Sequence, residues 1–222
     1  MRNKLLIVAI VFCTIIFLSF RDKGNTKLTN YNINNGSTVT AVPLYRLSDD
    51  RGYHLYTTDK NERERLALSG KFISGGPIGY VFPKQVPGAV RLYWLQYDIV
   101  SNDGSGYKGI ENFYTTNEDE MLTAIGKYHY RRKDWPEMYI STMSGINSGS
   151  QSNTNGNATL YRIQQIYLQP KGHFYTTDKA ERDRLLKDTE HYRDEGIAGY
   201  IWSSPKSVTV PGDNITDTTR ID

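Results

Sequence analysis

The sequence contains a single cysteine, Cys13, which stands inside an apolar run near the start of the chain. Beyond this run there is therefore no disulfide bond, no thiolate nucleophile and no sulfur ligand for a metal. The rest of the chain must be held together by packing and hydrogen bonds.

Catalytic and cofactor motifs are also missing. The 222 residues contain no GxSxG elbow, no HExxH pair and no glycine-rich phosphate loop. A calcium loop with its turn at Gly104 would place Ile99 and Ile110 at positions that need oxygen ligands. His54 and His173 have no second histidine or carboxylate at metal-ligand spacing. We therefore expect no catalytic residue, no metal and no cofactor, and a protein that is not an enzyme.

The chain lacks a basic domain. Its formal net charge is +3, but residues 1–27 hold five basic residues against one acidic residue, which leaves 22 basic and 23 acidic residues in the remainder. Nucleic-acid-binding domains usually carry a basic stripe. A near-neutral body with scattered charge therefore argues against a nucleic-acid partner.

Residues 1–20 are predicted to be an export signal. A short basic start precedes sixteen mostly apolar residues that end before Arg21. As a helix this run would be about 24 Å long, which is short for a bilayer core of about 30 Å and favours a signal peptide. The lack of a small-x-small cleavage site leaves an uncleaved N-terminal anchor open. Both alternatives predict a protein that is secreted or anchored at the outer face of the membrane, with membrane contact only through this segment.

Three segments of similar sequence indicate a tandem repeat. They are HLYTTDKNERERLA at residues 54–67, NFYTTNEDEMLTAI at 112–125 and HFYTTDKAERDRLL at 173–186. In each copy the tyrosine before the double threonine is followed 24 or 25 residues later by a second tyrosine. Spacing this regular is typical of a repeated structural unit.

The repeat spacing predicts one three-repeat domain at residues 42–202. Its copies are expected at about 42–83, 90–141 and 158–202. Residues 21–41 are interpreted as a polar stalk and residues 203–222 as a tail.

Within each copy the elements are predicted in the order strand, strand, helix, strand. The opening run (LYRL, LYWL or LYRI) and the HxYTT run are short and rich in aromatic and β-branched residues, as half-buried strands are. A polar residue then stands at the helix N-cap with a glutamate three positions later, a relative of the capping box in which the glutamate reaches back to the cap amide. The predicted cap pairs are Asp59 and Glu62, Asn117 and Glu120, and Asp178 and Glu181.

The predicted fold class is α+β. We expect three strand-strand-helix-strand pseudo-repeats closed around a pseudo-threefold axis, because closure protects strand edges that would otherwise be exposed. An all-β trefoil is the alternative fold.

One side of the HxYTT strand suggests a binding face. Because alternate residues of a strand share a face, the histidine and tyrosine of this motif point away from the core-facing leucine or phenylalanine between them. With the tyrosines of the closing strands they would form up to three related pockets, whose ring faces and hydrogen-bonding groups suit sugars. The candidate ligand-binding residues are His54, Tyr56, Tyr80, Tyr114, His173, Tyr175 and Tyr200. The alternative interpretation is that the repeated tyrosines pack in the core with their hydroxyls satisfied.

The runs LYRL…HLYTTD…ER…GYVF and LYRI…HFYTTD…ER…GIAGYIW resemble a family of exported tandem-repeat domains of unknown function found in bacteria and fungi. The resemblance covers residues 42–202, and the second copy departs from it at Asn112, Asn117, Glu137 and Met138. Members of this family resemble accessory modules of secreted hydrolases. The resemblance therefore implies binding to polysaccharide or to a cell surface more than catalysis.

Together the residues and the resemblance predict a non-catalytic extracellular module that binds a carbohydrate or a cell-surface glycan. The first alternative is a protein-interaction or structural envelope protein, whose partners would be envelope proteins. The second alternative is a secreted hydrolase with a cryptic site built from carboxylates that are distant in the sequence.

Overall fold

The computed structural model describes residues 36–100, 104–143 and 158–210. The predicted export signal at residues 1–20 and most of the predicted stalk lie outside the described residues, as does the last part of the predicted tail.

The described elements follow the three copies along the chain. A first strand, β1 (Ser37–Thr40), precedes the first copy, which comprises β2 (Val42–Asp49), β3 (His54–Thr57), α1 (Lys60–Leu68) and β4 (Phe72–Val81). The second copy comprises β5 (Ala89–Arg91), β6 (Tyr93–Val100), β7 (Lys108–Thr115), α2 (Glu118–Tyr128), β8 (Arg131–Lys133) and β9 (Tyr139–Ser141). The third copy comprises β10 (Ala158–Gln165), β11 (Gly172–Thr176), α3 (Lys179–Leu185) and β12 (Tyr192–Ile201), and is followed by β13 (Ser207–Val210).

The strands form several small antiparallel sheets, with three short helices beside them. The strand orders are β3-β2-β4, β7-β6-β8, β11-β10-β12-β9-β5 and β1-β13, and none of these described sheets closes into a barrel. The predicted order of strand, strand, helix, strand is confirmed in the first and third copies. The three helices are inconsistent with the all-β trefoil alternative.

The second copy differs because its closing strand is divided into β8 and β9. The interruption contains Pro136, which has no N–H to donate to a ladder. In the first and third copies the corresponding strand is continuous over ten residues.

Strands β1 and β13 correct the predicted stalk and tail. They pair antiparallel, with Val39 opposite Val208, in segments that the sequence analysis placed outside the domain. Val39 packs in a buried cluster with Phe82 and Trp202, so burial of apolar surface fixes both segments to the domain. The last residues of the predicted stalk and the first residues of the predicted tail therefore belong to the folded domain.

The closing strands of different copies meet at their ends. Tyr80 and Trp202 exchange two backbone hydrogen bonds, of 2.8 and 3.0 Å, and Phe82 and Tyr139 exchange two more, of 3.0 and 2.9 Å. Tyr200 pairs with Ser141 in the ladder between β12 and β9. The closing tyrosines are half-buried at these junctions, where their backbones join one copy to the next.

Two of these junctions favour glycine because an isoleucine side chain and a backbone carbonyl oxygen lie close to the position of a Cβ atom. A Cβ added at Gly79 would lie 2.4 Å from the Ile201 side chain, and one added at Gly199 would lie 2.5 Å from Ile140. The second copy has Met138 at the equivalent position, and its side chain is buried in the main core instead.

Each helix begins at the predicted N-cap. The Asp59 side chain accepts hydrogen bonds from the backbone N–H groups of Asn61 and Glu62, and Asn117 and Asp178 act in the same way at the other two helices. A side-chain acceptor satisfies donors that have no partner within the helix. The cap assignment is therefore confirmed in all three copies.

The predicted capping-box contact is absent, because the glutamate of each cap pair does not reach the backbone amide of the cap residue. In the first copy Thr57 Oγ1 donates to Glu62 Oε2 at 2.8 Å and accepts from the Asp59 N–H at 3.1 Å. Equivalent threonine–glutamate hydrogen bonds measure 2.5 and 2.6 Å in the second and third copies. The buried first threonine of the motif thus links the glutamate to the cap, which explains why the motif carries this threonine.

The main core is centred on the tyrosines of the three HxYTT motifs. Tyr56, Tyr114 and Tyr175 are each 1% exposed, and their ring centroids lie 5.3 to 5.6 Å apart in edge-to-face contacts. Such geometry is favourable for aromatic rings. Leucines from β2 and β10 pack in the same cluster, whereas Leu95 of β6 packs in a second buried cluster.

The three tyrosine hydroxyls close a cycle of hydrogen bonds. Each hydroxyl donates to the backbone carbonyl of the next tyrosine and accepts from that same residue's N–H. The cycle runs from Tyr56 to Tyr175, then to Tyr114 and back to Tyr56, with all six distances between 2.7 and 2.9 Å. Every buried polar group of this cycle is therefore paired.

We predict that Tyr56→Phe lowers the free energy of unfolding by about 3 kcal/mol, because it leaves the backbone N–H and C=O of Tyr175 without partners in the core. Chemical denaturation measures this loss. Tyr128→Phe is the control, since Tyr128 is 51% exposed, and it should change stability by less than about 0.5 kcal/mol. Equal, small losses for the two variants would contradict the described core.

We also predict that Asp178→Ala lowers the free energy of unfolding by about 1 kcal/mol through loss of the α3 cap. Asp178→Asn should cost much less, because asparagine already fills this position at Asn117. Thermal or chemical denaturation of the two variants tests the difference. The cap would have no energetic role here if both variants were as stable as the unmodified protein.

Candidate functional site

The predicted binding face of the HxYTT strands lies in the interior of the domain. Tyr56, Tyr114 and Tyr175 have buried rings and fully paired hydroxyls, so their predicted ligand-binding role is corrected to a packing role. The physical reason is that β3, β7 and β11 contact one another. The strand face that would be a surface in a single copy becomes the shared interior of three.

His54 lies between the first and third copies. Its Nδ1 is 3.3 Å from Gln165 Oε1, and its ring meets Phe174 edge-on with centroids 4.9 Å apart. Burial and the nearby Arg46 guanidinium lower the pKa of His54 to about 4. The imidazole is therefore neutral near pH 7 and acts as a half-buried contact between copies.

The asparagine of the second copy belongs to a paired substitution. Trp94 occupies the position that Arg46 and Arg162 hold in the other copies, and its Nε1 donates to Asn112 Oδ1 at 2.9 Å. The Asn112 amide in turn donates to the backbone carbonyl of His54 at 3.0 Å. A tryptophan and an asparagine thus replace the arginine and histidine at the contact between the second and first copies.

An ion-pair cluster joins the third copy to the second. Arg162 donates from both terminal nitrogens to Glu120, at 3.0 and 2.9 Å, and its Nε lies 3.1 Å from Glu195 Oε2. The guanidinium carbon also lies over the Phe113 ring, 5.3 Å from the ring centroid. Although burial raises it, the hydrogen bonds from Arg162 and Thr115 lower the pKa of Glu120 below its ordinary value. Glu120 is therefore ionised and paired, and contributes to both a helix start and an interface.

His173 forms a buried pair with Glu111 beside this cluster. Its Nδ1 is 2.6 Å from Glu111 Oε1, its Nε2 is 3.5 Å from Glu195 Oε2, and the Glu111 side chain has no solvent exposure. Burial raises the pKa of Glu111 well above its ordinary value, while burial and Arg162 lower the pKa of His173 to about 3. Both shifts favour a neutral carboxyl hydrogen-bonded to a neutral imidazole.

A cleft of about 620 Å³ opens beside His173, between the second and third copies. We call it the interrepeat cleft. Of the predicted ligand-binding and cap residues, only His173 and Glu120 line it. The full lining comprises Tyr97, Phe113, Glu120, Thr123, Ala124, Tyr128, Tyr130, Gln164, Gln169, Pro170, Lys171 and His173.

Aromatic rings form much of the interrepeat cleft. Tyr130 lies 5.6 Å from Tyr97 and 6.0 Å from Phe113 between ring centroids, and Tyr128 is 51% exposed at the end of α2. His129 ends this helix in the left-handed region, at φ 61°, and so turns the chain between the two cleft tyrosines. Amide, hydroxyl and amino groups from α2 and from the turn between β10 and β11 complete the lining.

Most of this cleft is not apparent from the sequence, because its walls come from two copies. One feature of the sequence does indicate that Glu111 is buried. It shares a strand face with Phe113, which was predicted to face the core, and a carboxyl at such a position needs a buried partner. The identity of that partner, His173, is not readable from sequence because the two residues are 62 positions apart.

No group of three or more His, Cys, Asp or Glu side chains within residues 36–100, 104–143 and 158–210 is placed to hold a metal ion. In the same part of the chain, no helix is long and apolar enough to cross a membrane.

Comparison with protein families shows the family to which the chain belongs. It belongs to the family described as Domain of unknown function (DUF5648), whose model matches residues 19–140 and again residues 137–202. Two successive matches are consistent with a repeat-containing domain. No curated protein and no solved structure matches the chain.

We predict that Glu111→Gln makes stability less dependent on pH. The Glu111 carboxyl is neutral in the folded protein but ionises above its ordinary pKa of 4.5 when unfolded, so the folded state binds more protons and stability falls as pH rises. The loss is at most about 1.4 kcal/mol per pH unit, and glutamine cannot ionise. Glu111→Gln should therefore gain stability relative to the unmodified protein as pH rises above 6.5, the ordinary His173 pKa, because the unfolded imidazole then becomes neutral, as the folded one already is.

Thermal denaturation from about pH 6.5 to 8.5 measures this difference. Glu190→Gln, at an exposed position, is the control and should follow the unmodified protein. Parallel curves for Glu111→Gln and the unmodified protein would mean that the buried carboxyl is ionised in the folded state.

Proposed function

We propose that the protein is a non-catalytic module that binds a carbohydrate or cell-surface glycan in the interrepeat cleft. The observation that carries the proposal is the composition of the cleft, in which rings from Tyr97, Phe113, Tyr128 and Tyr130 stand beside amide, hydroxyl and amino groups. Sugar rings present C–H faces to aromatic side chains and hydroxyls to polar groups. The lining therefore matches both surfaces of a pyranose.

The charges around the cleft support binding more than catalysis. Glu120 is held by two hydrogen bonds from Arg162, and Glu111 is paired with His173 below the surface. Carboxyl groups that are already paired are suited to maintaining the shape of a site. The proposed partners are thus polysaccharides or surface glycans, without a cofactor.

We infer further that the three copies are arranged about a pseudo-threefold axis through the central tyrosines. The closed cycle of hydroxyl hydrogen bonds supports this arrangement. So do two equivalent ion pairs that run in the same direction around the copies, Arg46 to Glu181 and Arg162 to Glu120. The interrepeat cleft would then be one of three related interfaces, distinguished by Glu111.

The proposed location is outside the cell, either secreted or anchored at the outer face of the membrane. The support is the basic and apolar composition of residues 1–20. A glycan-binding module at this location would meet polysaccharides of the cell's own surface or of its surroundings.

A secreted hydrolase is the second candidate function, and one observation favours it. His173 lines the interrepeat cleft while its Nδ1 lies 2.6 Å from the neutral carboxyl of Glu111, an arrangement that can transfer a proton. A hydrolase would release soluble product from a bound polysaccharide, and Glu111→Gln would abolish that release without preventing binding.

We predict that the purified full chain is retained on at least one insoluble polysaccharide among cellulose, chitin and peptidoglycan, or binds a glycan array. Tyr128→Ala should reduce this binding by about tenfold, because it removes an exposed ring from the cleft. Leu122→Ala is the matched control, since it lies on the same helix outside the cleft lining and is similarly exposed, at 56% against 51%.

The other possible results of this binding experiment distinguish the alternative functions. Equal loss of binding in the two variants would contradict a site in the cleft. Absence of any glycan binding, with a stable protein partner in a pull-down, would favour an interaction or structural role in the envelope.

A further inference from the structure

A second cleft of about 980 Å³ lies where turns from all three copies meet. We call it the turn cleft. Arg51 comes from the first copy, Asp98 and Tyr107 come from the second, and Tyr167 comes from the third. Tyr107 lies beneath the Arg51 guanidinium, 4.7 Å from it, and Tyr167 is 41% exposed. The turn cleft thus repeats the combination of exposed rings and polar groups seen in the interrepeat cleft.

The two clefts adjoin each other, because Tyr97, Gln169 and Pro170 line both of them, and we refer to the two clefts together as the groove. Tyr97 contacts Tyr130 on the side of the interrepeat cleft. It also packs against the buried cluster beneath the turn cleft. The junction is therefore a fixed part of the groove wall.

The junction is also held by a hydrogen bond between copies. The Tyr53 hydroxyl donates to the Pro170 carbonyl oxygen at 2.7 Å, which ties the first copy to the turn between β10 and β11. The Tyr53 side chain is 3% exposed. The two clefts are thus positioned relative to each other by buried contacts.

Formal charge is balanced along the groove. Glu120 and Lys171 are the acidic and basic residues of the interrepeat cleft, and Asp98 and Arg51 are those of the turn cleft. A groove without an excess of either sign favours an uncharged ligand over a polyanion.

We propose that this groove holds one linear, uncharged oligosaccharide whose consecutive sugar units occupy both clefts. The inference rests on the proposed function and adds the class and length of the ligand. Each cleft alone has a volume within the range of about 300–1,000 Å³ that is typical of small-molecule sites. Two such clefts joined at Tyr97 exceed what a single sugar unit fills, so affinity increases with chain length until both are occupied.

The experiment is calorimetric titration of the full chain with linear cello-oligosaccharides and chito-oligosaccharides of two to six units. We expect affinity to rise about tenfold or more from the shortest to the longest oligomer, with one six-unit oligomer bound per chain. Tyr128→Ala and Tyr167→Ala should each weaken binding of the six-unit oligomer about tenfold, whereas only one of them should weaken binding of the two-unit oligomer. Leu122→Ala should leave every affinity unchanged, and melting curves establish that each variant is folded.

The outcomes separate this inference from the proposed function. Affinity that is independent of length, or two six-unit oligomers bound per chain, would overturn the continuous groove and leave glycan binding intact. Retention on a polysaccharide without binding of any uncharged oligomer would overturn the ligand class. Failure of the folded protein to bind any polysaccharide or oligosaccharide would overturn both.

Discussion

Three buried hydroxyl groups determine how the copies of this domain are joined. The hydroxyl of each central tyrosine forms hydrogen bonds with the backbone N–H and C=O of the central tyrosine in the next copy. These backbone groups lie on an edge strand and would otherwise be unpaired in the core. A copy on its own would expose both the ring and the strand edge. The domain therefore depends on all three copies together, and its surface features arise where copies meet.

The interfaces between copies are related but chemically different. Arginine and histidine occupy the contacts that involve the first and third copies' motifs, whereas Trp94 and Asn112 replace them in the second. At the interface between the third and second copies, Glu111 adds a buried carboxyl opposite His173. Divergence of the copies thus leaves the central tyrosines unchanged and alters the groups around them, which is where the proposed groove lies.

The sequence predicted the order of elements in the first and third copies and the three N-cap residues, because these depend on residues close together in the chain. It could not establish whether the second face of the HxYTT strand is surface or interior, since that depends on contacts among copies. The histidine and tyrosine pattern therefore suggested a binding face where the structure has a core. The cleft itself combines Tyr97 and Tyr130 of the second copy with Lys171 of the third, and no local pattern connects them.

The most direct test of this account is the change in backbone NMR resonances when the protein binds a short oligosaccharide. We expect the signals of Tyr97, Tyr130, Lys171 and His173 to shift, while the amides of Tyr56, Tyr114 and Tyr175, which donate to buried hydroxyls, stay unchanged. Shifts centred on the closing tyrosines Tyr80 and Tyr200, with none in the cleft, would contradict the account.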